Sequence, residues 1–195
     1  MQLPVPIHTP RLLLRPPQPE DAAEVYAAIV ESHKALAEFM PWATPMPSLE
    51  DTITFIEQSI TNWVLQRCEE PFLPLFIFNK ERRFLGSTGF HSYDWSVPCL
   101  ECGYWLRTPD TGQGYMTEAV LGLTHYAFLQ LKVKRLAITC DILNTRSKKI
   151  AERLNYTLEG TLKNNRTLPN TLQVSDTLIY ARYDLSDLPG LAVSW

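Results

Sequence analysis

Residues 100–119 hold the densest chemistry in the chain. They read Leu100-Glu101-Cys102-Gly103-Tyr104-Trp105-Leu106, then Thr111-Gly112-Gln113-Gly114-Tyr115-Met116-Thr117-Glu118-Ala119. The first run predicts a strand, the second a glycine-bearing loop that opens a helix. The first N–H groups of a helix have no partner inside it and carry its positive dipole end, so this junction is an anion site. Glycines at 112 and 114 let a phosphate approach the backbone without a Cβ in the way. Three phosphate ligands compete. A nucleotide P-loop needs Gly-Lys-Ser/Thr, but Tyr115 follows Gly114. A dinucleotide turn needs a third glycine where Thr117 stands and an acid roughly twenty residues on, where Lys134 sits. The third is the diphosphate of coenzyme A. Against all three stands a loop whose glycines only turn the chain.

Glu101 lies between Leu100 and Cys102 inside the same strand. A carboxylate there is costly unless it faces water, pairs with a cation or is put to use as a base. Cys99 and Cys102 form a C-x-x-C, but no second Cys/His pair completes a four-ligand zinc site. A three-residue offset on a strand also sends the two thiols to opposite faces. Buried thiols are the reading preferred here, with no metal. His91 and His125 read as ordinary residues of a strand and a helix, and Asp141 as a strand-end surface acid without a role.

Positioning such a site requires a folded domain, and the composition supplies one. The chain has 195 residues and 45% hydrophobic content, enough for one domain with its own core. A net charge of −3 argues against general nucleic-acid binding. No apolar run approaches the roughly 18–20 residues of a membrane span, and no signal peptide is visible, so a cytoplasmic protein is expected.

Arg11 to Arg15 predicts a strand, and Pro19-Glu20-Asp21 opens a helix carrying Val25, Ile29 and Val30. Ala35, Leu36 and Phe39 suggest a second short helix, then Met40 to Ser48 a loop. Ser48 and Asp51 can cap a helix whose apolar stripe is Ile53, Ile56, Ile60 and Trp63 and which ends near Cys68. Strands are expected at 75–78, 84–90 and 98–106, with Gly86 and Gly89 weakening the second or marking a bulge. Met116, Val120, Leu123, Ala127 and Leu131 mark a helix face. A strand at 135–142, a short helix at 144–154 and strands at 156–162 and 177–183 follow. This order predicts an α+β or mixed α/β sheet domain, with residues 185–195 as a loosely packed tail.

The segment from Leu100 to Tyr156 resembles the GNAT acetyltransferase superfamily, whose Gln/Arg-x-x-Gly-x-Gly/Ala motif is occupied here by Thr111, Gly114 and Met116. The Met116-Thr117-Glu118-Ala119 continuation is similar to the RimJ/RimL branch, which acetylates N-termini of ribosomal proteins. So are Thr9-Pro10-Arg11-Leu12-Leu13-Leu14-Arg15-Pro16, Pro41-Trp42, Gly86-Ser87-Thr88-Gly89-Phe90-His91, Asn144-Thr145-Arg146-Ser147 and Leu154-Asn155-Tyr156. The likeness spans roughly residues 8–183. Asn155 stands where the family has glycine, and Ala151 where the superfamily often has a tyrosine acid.

The resemblance implies a single domain over 1–195, with a mostly antiparallel twisted sheet flanked by helices. It implies acetyl-CoA as co-substrate, no metal, and a primary amine as acceptor, such as a ribosomal-protein N-terminus. No nucleic-acid or membrane partner follows from it, and the chain would be a monomer or homodimer. Glu101 becomes the general base and Ser147 the acid for the departing thiolate. Trp105, Leu106 and Arg107 would hold the pantetheine amides by their backbone, with Asn144 as a side-chain partner or merely a helix cap. Gly112, Gln113, Gly114, Tyr115, Met116 and Thr117 would cradle the diphosphate, and His33 and Trp42 would line the acceptor pocket. Three rivals remain: a non-catalytic acyl-CoA sensor, a small-molecule amine acetyltransferase and a dinucleotide-binding domain.

Overall fold

A computed structural model describes residue 3 and residues 5–65, 72–94 and 96–195. Eight strands form one sheet in the order β1-β2-β3-β4-β5-β6-β8-β7. These are β1 (Ile7–His8), β2 (Leu12–Arg15), β3 (Phe72–Asn79), β4 (Phe84–Asp94), β5 (Cys99–Leu106), β6 (Arg135–Asp141), β7 (Thr157–Thr167) and β8 (Val174–Arg182). Every neighbouring pair is antiparallel except β5–β6. Helices α1 (Ala22–Leu36) and α2 (Leu49–Leu65) cover one face, and α3 (Tyr115–Leu129) and α4 (Thr145–Arg153) the other.

The pleat explains the two cores. Leu75 and Ile77 of β3 pack in the α3–α4 layer, whereas Phe76 and Phe78 pack with Val25, Ile29 and Ile56 of α1 and α2. Side chains alternate along a strand, so a strand between two helical layers becomes a continuous apolar run.

Several sequence expectations shift. Ala35 and Leu36 belong to the last turn of α1, because no breaker separates them from Val30; the second short helix does not form. In α2 the buried face is Thr52, Ile56, Ser59 and Trp63, while Ile53 is exposed. The polar members are tolerated because their hydroxyls donate to backbone carbonyls, Thr52 to Ser48 and Ser59 to Phe55. The α2 cap forms as expected: Ser48 Oγ accepts from Asp51 N at 3.1 Å, and Asp51 Oδ2 accepts from Ser48 N at 2.8 Å. Cys68, expected near the end of α2, lies outside the described residues.

The β4 strand runs through both of its glycines, and the register shift against β3 falls between Phe84 and Gly86. β7 and β8 extend beyond the expected spans because their joined ends, residues 163–167 and 174–176, carry mostly polar side chains, which conceals them from hydrophobic patterning. Asn155 takes φ 52° after α4, the left-handed stop that the family's glycine would supply.

The C-terminal tail is docked rather than loose. His8 and Ser194 exchange backbone hydrogen bonds of 2.8 and 3.1 Å, and Leu188, Leu191 and Val193 pack against the core. Trp195 meets Tyr126 edge-on with ring centroids 5.5 Å apart. Trp195→Ala is expected to cost about 1 kcal/mol of stability, read as a lower urea midpoint at unchanged m-value.

No described helix is long and apolar enough to cross a membrane, and no group of three or more potential metal ligands occurs among the described residues. Cys102 is buried and Cys99 half-buried, both as free thiols.

Candidate active site

The site begins where the sheet splits. β5 pairs with β6 only at Cys99–Arg135, Leu100–Leu136 and Glu101–Ala137. Beyond Glu101, β5 stays with β4 as far as Leu106, and β6 stays with β8 as far as Asp141. A wedge opens between them by divergence of two strands, each held by its other neighbour. No bulge in β5 is needed.

The pleat decides which backbone groups face that wedge. Arg107 N–H donates to Leu85 O at 2.8 Å, so Arg107 and, by alternation, Trp105 turn their main-chain groups toward β4. Tyr104 and Leu106 turn theirs into the wedge. Of the three residues expected to grip an amide-bearing arm, Leu106 alone has free groups there. Arg107 is committed throughout: its carbonyl accepts from Asp110 N, and its guanidinium donates to Glu31 at 2.6 and 2.8 Å. It locks β5 to α1.

At the end of β5, residues 108–114 lead into α3. Gly112 and Gly114 both take φ 81°, where L side chains are strained. Gly114 caps α3 without a side chain. Among the described residues, the main-chain N–H groups of 112–117 donate to no acceptor, whereas Glu118 N–H already bonds Gly114 O at 3.0 Å. Thr111 Oγ1 turns back onto Thr108 O at 2.8 Å and Met116 is buried in the core, so both contribute no side chain to the anion site.

One cation is supplied from far away in sequence. Arg11 Nη1 donates to Gln113 O at 3.0 Å, and its guanidinium lies 4.7 Å from the Tyr115 ring centre. Its Nε bonds Glu118 Oε2 at 2.5 Å, and Thr9 Oγ1 donates to Glu118 Oε1 at 2.7 Å. Burial alone would raise the Glu118 pKa. The Thr9 hydroxyl and Arg11 overcome this and hold it below the usual glutamate value. Arg11 does not stand out in the sequence, where it only bounds a strand; an acid in the first turn of α3 is the available hint of a partner.

On the α4 side, Asn144 Oδ1 accepts from Ser147 N at 3.1 Å, so its carbonyl is the helix cap. Asp141 is buried, not a surface acid. Its carboxylate accepts from Ser175 and from Leu143 N and so fixes the turn that delivers Asn144. Ser147 Oγ lies 3.0 Å from the Tyr104 hydroxyl, which burial pushes well above the ordinary tyrosine pKa. Sequence reading does not single out the Tyr104 hydroxyl. Ala151 is fully buried, and a tyrosine hydroxyl meets α4 from β5, at Ser147.

The opposite face holds a cavity of about 710 Å³. Gly103, Tyr104 and His91 line one end, and Trp42 and Trp105, 5.9 Å apart, line its wall. His91 is not the ordinary strand residue expected. It stands directly across from Glu101 in register, and its Nε2 lies 2.8 Å from where a Cβ on Gly103 would be. Burial lowers its pKa and keeps the ring neutral, against the opposing charge of Glu101. Glu101 itself is half-buried and accepts from the Thr139 hydroxyl. His33 does not line the cavity: its Nε2 bonds Ala43 O at 2.9 Å and pins the turn that carries Trp42.

The comparisons with known proteins agree with this geometry. Residues 11–157 match the acetyltransferase (GNAT) domain model. A ribosomal-protein-serine acetyltransferase of Escherichia coli K12 is 26% identical over 158 residues, covering 81% of this chain and 84% of that protein. The structure of the microcin self-immunity acetyltransferase MccE with acetyl-CoA and AMP superimposes with TM-score 0.81 at 27% identity, covering 90% and 93% of the two chains. The ribosomal alpha-N-protein acetyltransferase RimL in complex with coenzyme A gives TM-score 0.81 at 25% identity, covering 95% and 99%. By its matched domain, its split sheet and its RimL-like relatives, this chain belongs to the GNAT acetyltransferase family.

Proposed function

We propose that the protein transfers acetyl from acetyl-CoA to the N-terminal α-amino group of a protein, by direct attack in a ternary complex. The observation that carries this reading is the ring of unpaired N–H groups at 112–117, beside Arg11, at the mouth of a wedge whose other side bears Glu101. The diphosphate of the coenzyme sits at the ring, and its arm runs along the wedge-facing groups of Leu106 and Tyr104.

The amine approaches from the cavity side. An α-amino group of pKa near 7.7–8.0 is roughly 10–20% neutral at pH 7, whereas lysine at about 10.4 is neutral in fewer than about one molecule in a thousand. This favours an N-terminus over a side chain. As the N–C bond forms, Glu101 takes the amine proton through water, with neutral His91 beside it. As the C–S bond breaks, the thiolate takes a proton from Ser147, which is paired with the Tyr104 hydroxyl and regains a proton from water. The E. coli relative is named for ribosomal-protein serine, which supports a protein acceptor.

Thiol release from acetyl-CoA, followed over ribosomal proteins, N-terminal peptides and small amines, tests the reading. Transfer located on a peptide N-terminus by mass spectrometry is the expected result. Tight coenzyme binding without turnover on any amine would replace it with a sensor. Arg11→Met should raise the KM for acetyl-CoA about tenfold through loss of one charge-assisted phosphate contact, with kcat little changed.

A further inference from the structure

We propose that the acceptor amine carries a bulky apolar or aromatic side chain on the carbon next to its nitrogen. This rests on the transferase reading above and concerns what fills the cavity.

The cavity's volume of about 710 Å³ belongs to the range that holds drug-sized ligands, far beyond a serine side chain. Its walls are Ile29 of α1, Phe55 of α2, Phe72 and Phe76 of β3, and Trp42 and Trp105. Phe55 and Phe72 pack at a tilt with ring centroids 5.8 Å apart, as Trp42 and Trp105 do at 5.9 Å, so two aromatic pairs contribute to the wall. Trp42 and Phe72 remain 44% and 37% exposed, apolar surface that an occupant would cover.

The hydroxyls of the lining are already engaged. Thr88 Oγ1 donates to Gly103 O at 3.0 Å, Thr52 Oγ1 to Ser48 O at 3.0 Å, and Ser87 Oγ to the Leu75 and Thr88 carbonyls at 3.3 Å. Asp51 Oδ2 accepts from the Ser48 N–H and hydroxyl at the helix cap. His91 stands at the reacting end. A site that offers apolar faces and few uncommitted hydroxyl protons favours an apolar side chain and gives a serine hydroxyl little compensation for lost water. Such an α-amine could be a peptide N-terminus or a free amine, and the panel below separates the two.

The test measures kcat/KM on peptides identical except for a first residue of Phe, Trp, Leu, Ala or Ser, with phenylalanine amide and phenethylamine as free amines. Phe, Trp and Leu peptides should exceed Ser and Ala by at least about tenfold. Trp42→Ala, a change at the cavity rim, should bring the Phe-to-Ser ratio down toward one. Preference for the peptides over phenylalanine amide identifies a polypeptide as the source; the reverse identifies a small amine. Ser peptides acetylated as well as Phe peptides would overturn the inference and leave the transferase reading standing. Coenzyme binding with no transfer to any member would overturn both. An unchanged Phe-to-Ser ratio in Trp42→Ala would also overturn it.

Discussion

Glu101→Gln should lower kcat by about 10²–10³-fold near pH 7, within the range that general-base catalysis contributes. Gln keeps the size of the side chain and can still accept from the Thr139 hydroxyl, so the wedge geometry survives. What disappears is the group that takes the amine proton. The deficit should be greatest at low pH, where almost all of the acceptor is protonated, and should shrink above about pH 8 as the free amine population grows. Affinity for the coenzyme should hardly change, because Glu101 lies on the cavity face, away from the 112–117 ring. The pH–rate profiles of wild type and variant, with coenzyme affinity by calorimetry, check each part. Wild-type turnover in the variant would move the base to another residue, with His91 across the strand pair as the first place to look.

Gly114→Val should abolish measurable coenzyme binding, a loss of at least about a hundredfold. Three costs coincide. Gly114 has φ 81°, which a β-branched residue adopts only at a cost of roughly 1–2 kcal/mol. A Cβ there would stand 3.4 Å from Arg11 Nη2, so the larger side chain pushes against the cation of the site. It would also occupy the space in front of the unpaired N–H groups. Gly112 is a control: it shares the same φ, but a Cβ there meets nothing within 4 Å, so Gly112→Ala should carry the strain with less obstruction. Calorimetric titration with coenzyme A gives both numbers. Binding by Gly114→Val at wild-type strength would place the diphosphate elsewhere.

Local chemistry was the legible part of the sequence. The glycine pair before α3, the Ser48–Asp51 cap and the buried strand segment at 75–78 each announce themselves through residues close together in the chain. The left-handed stop at Asn155 could also be read, because few residues tolerate that conformation. Long-range pairing was hidden. Arg11 and Glu118 meet only because β2 and α3 are brought together by the sheet, and nothing at position 11 hints at a phosphate. His91 looked ordinary because its importance comes from cross-strand register with Glu101, which a single strand cannot reveal. Arg107 looked like a backbone ligand of the pantetheine arm, but the pleat turns it toward β4 and Glu31 claims its charge. The same holds for His33, whose position near the cavity is real but whose ring serves the Pro41–Ala43 turn.

The tail illustrates a third limit. Residues 185–195 lack periodicity, so they read as loose, yet the backbone pairing of Ser194 with His8 and the ring of Trp195 against Tyr126 close the molecule on the α3 side. Irregular segments can be held firmly by a few contacts that no pattern predicts.

A crystal structure of the protein with coenzyme A tests the central claim most directly. The diphosphate should lie within hydrogen-bond distance of main-chain N–H groups between 112 and 117, with the Arg11 guanidinium beside it and the thiol end in the wedge between β5 and β6. Density for the diphosphate at any other place, with those N–H groups facing only water, would contradict the account.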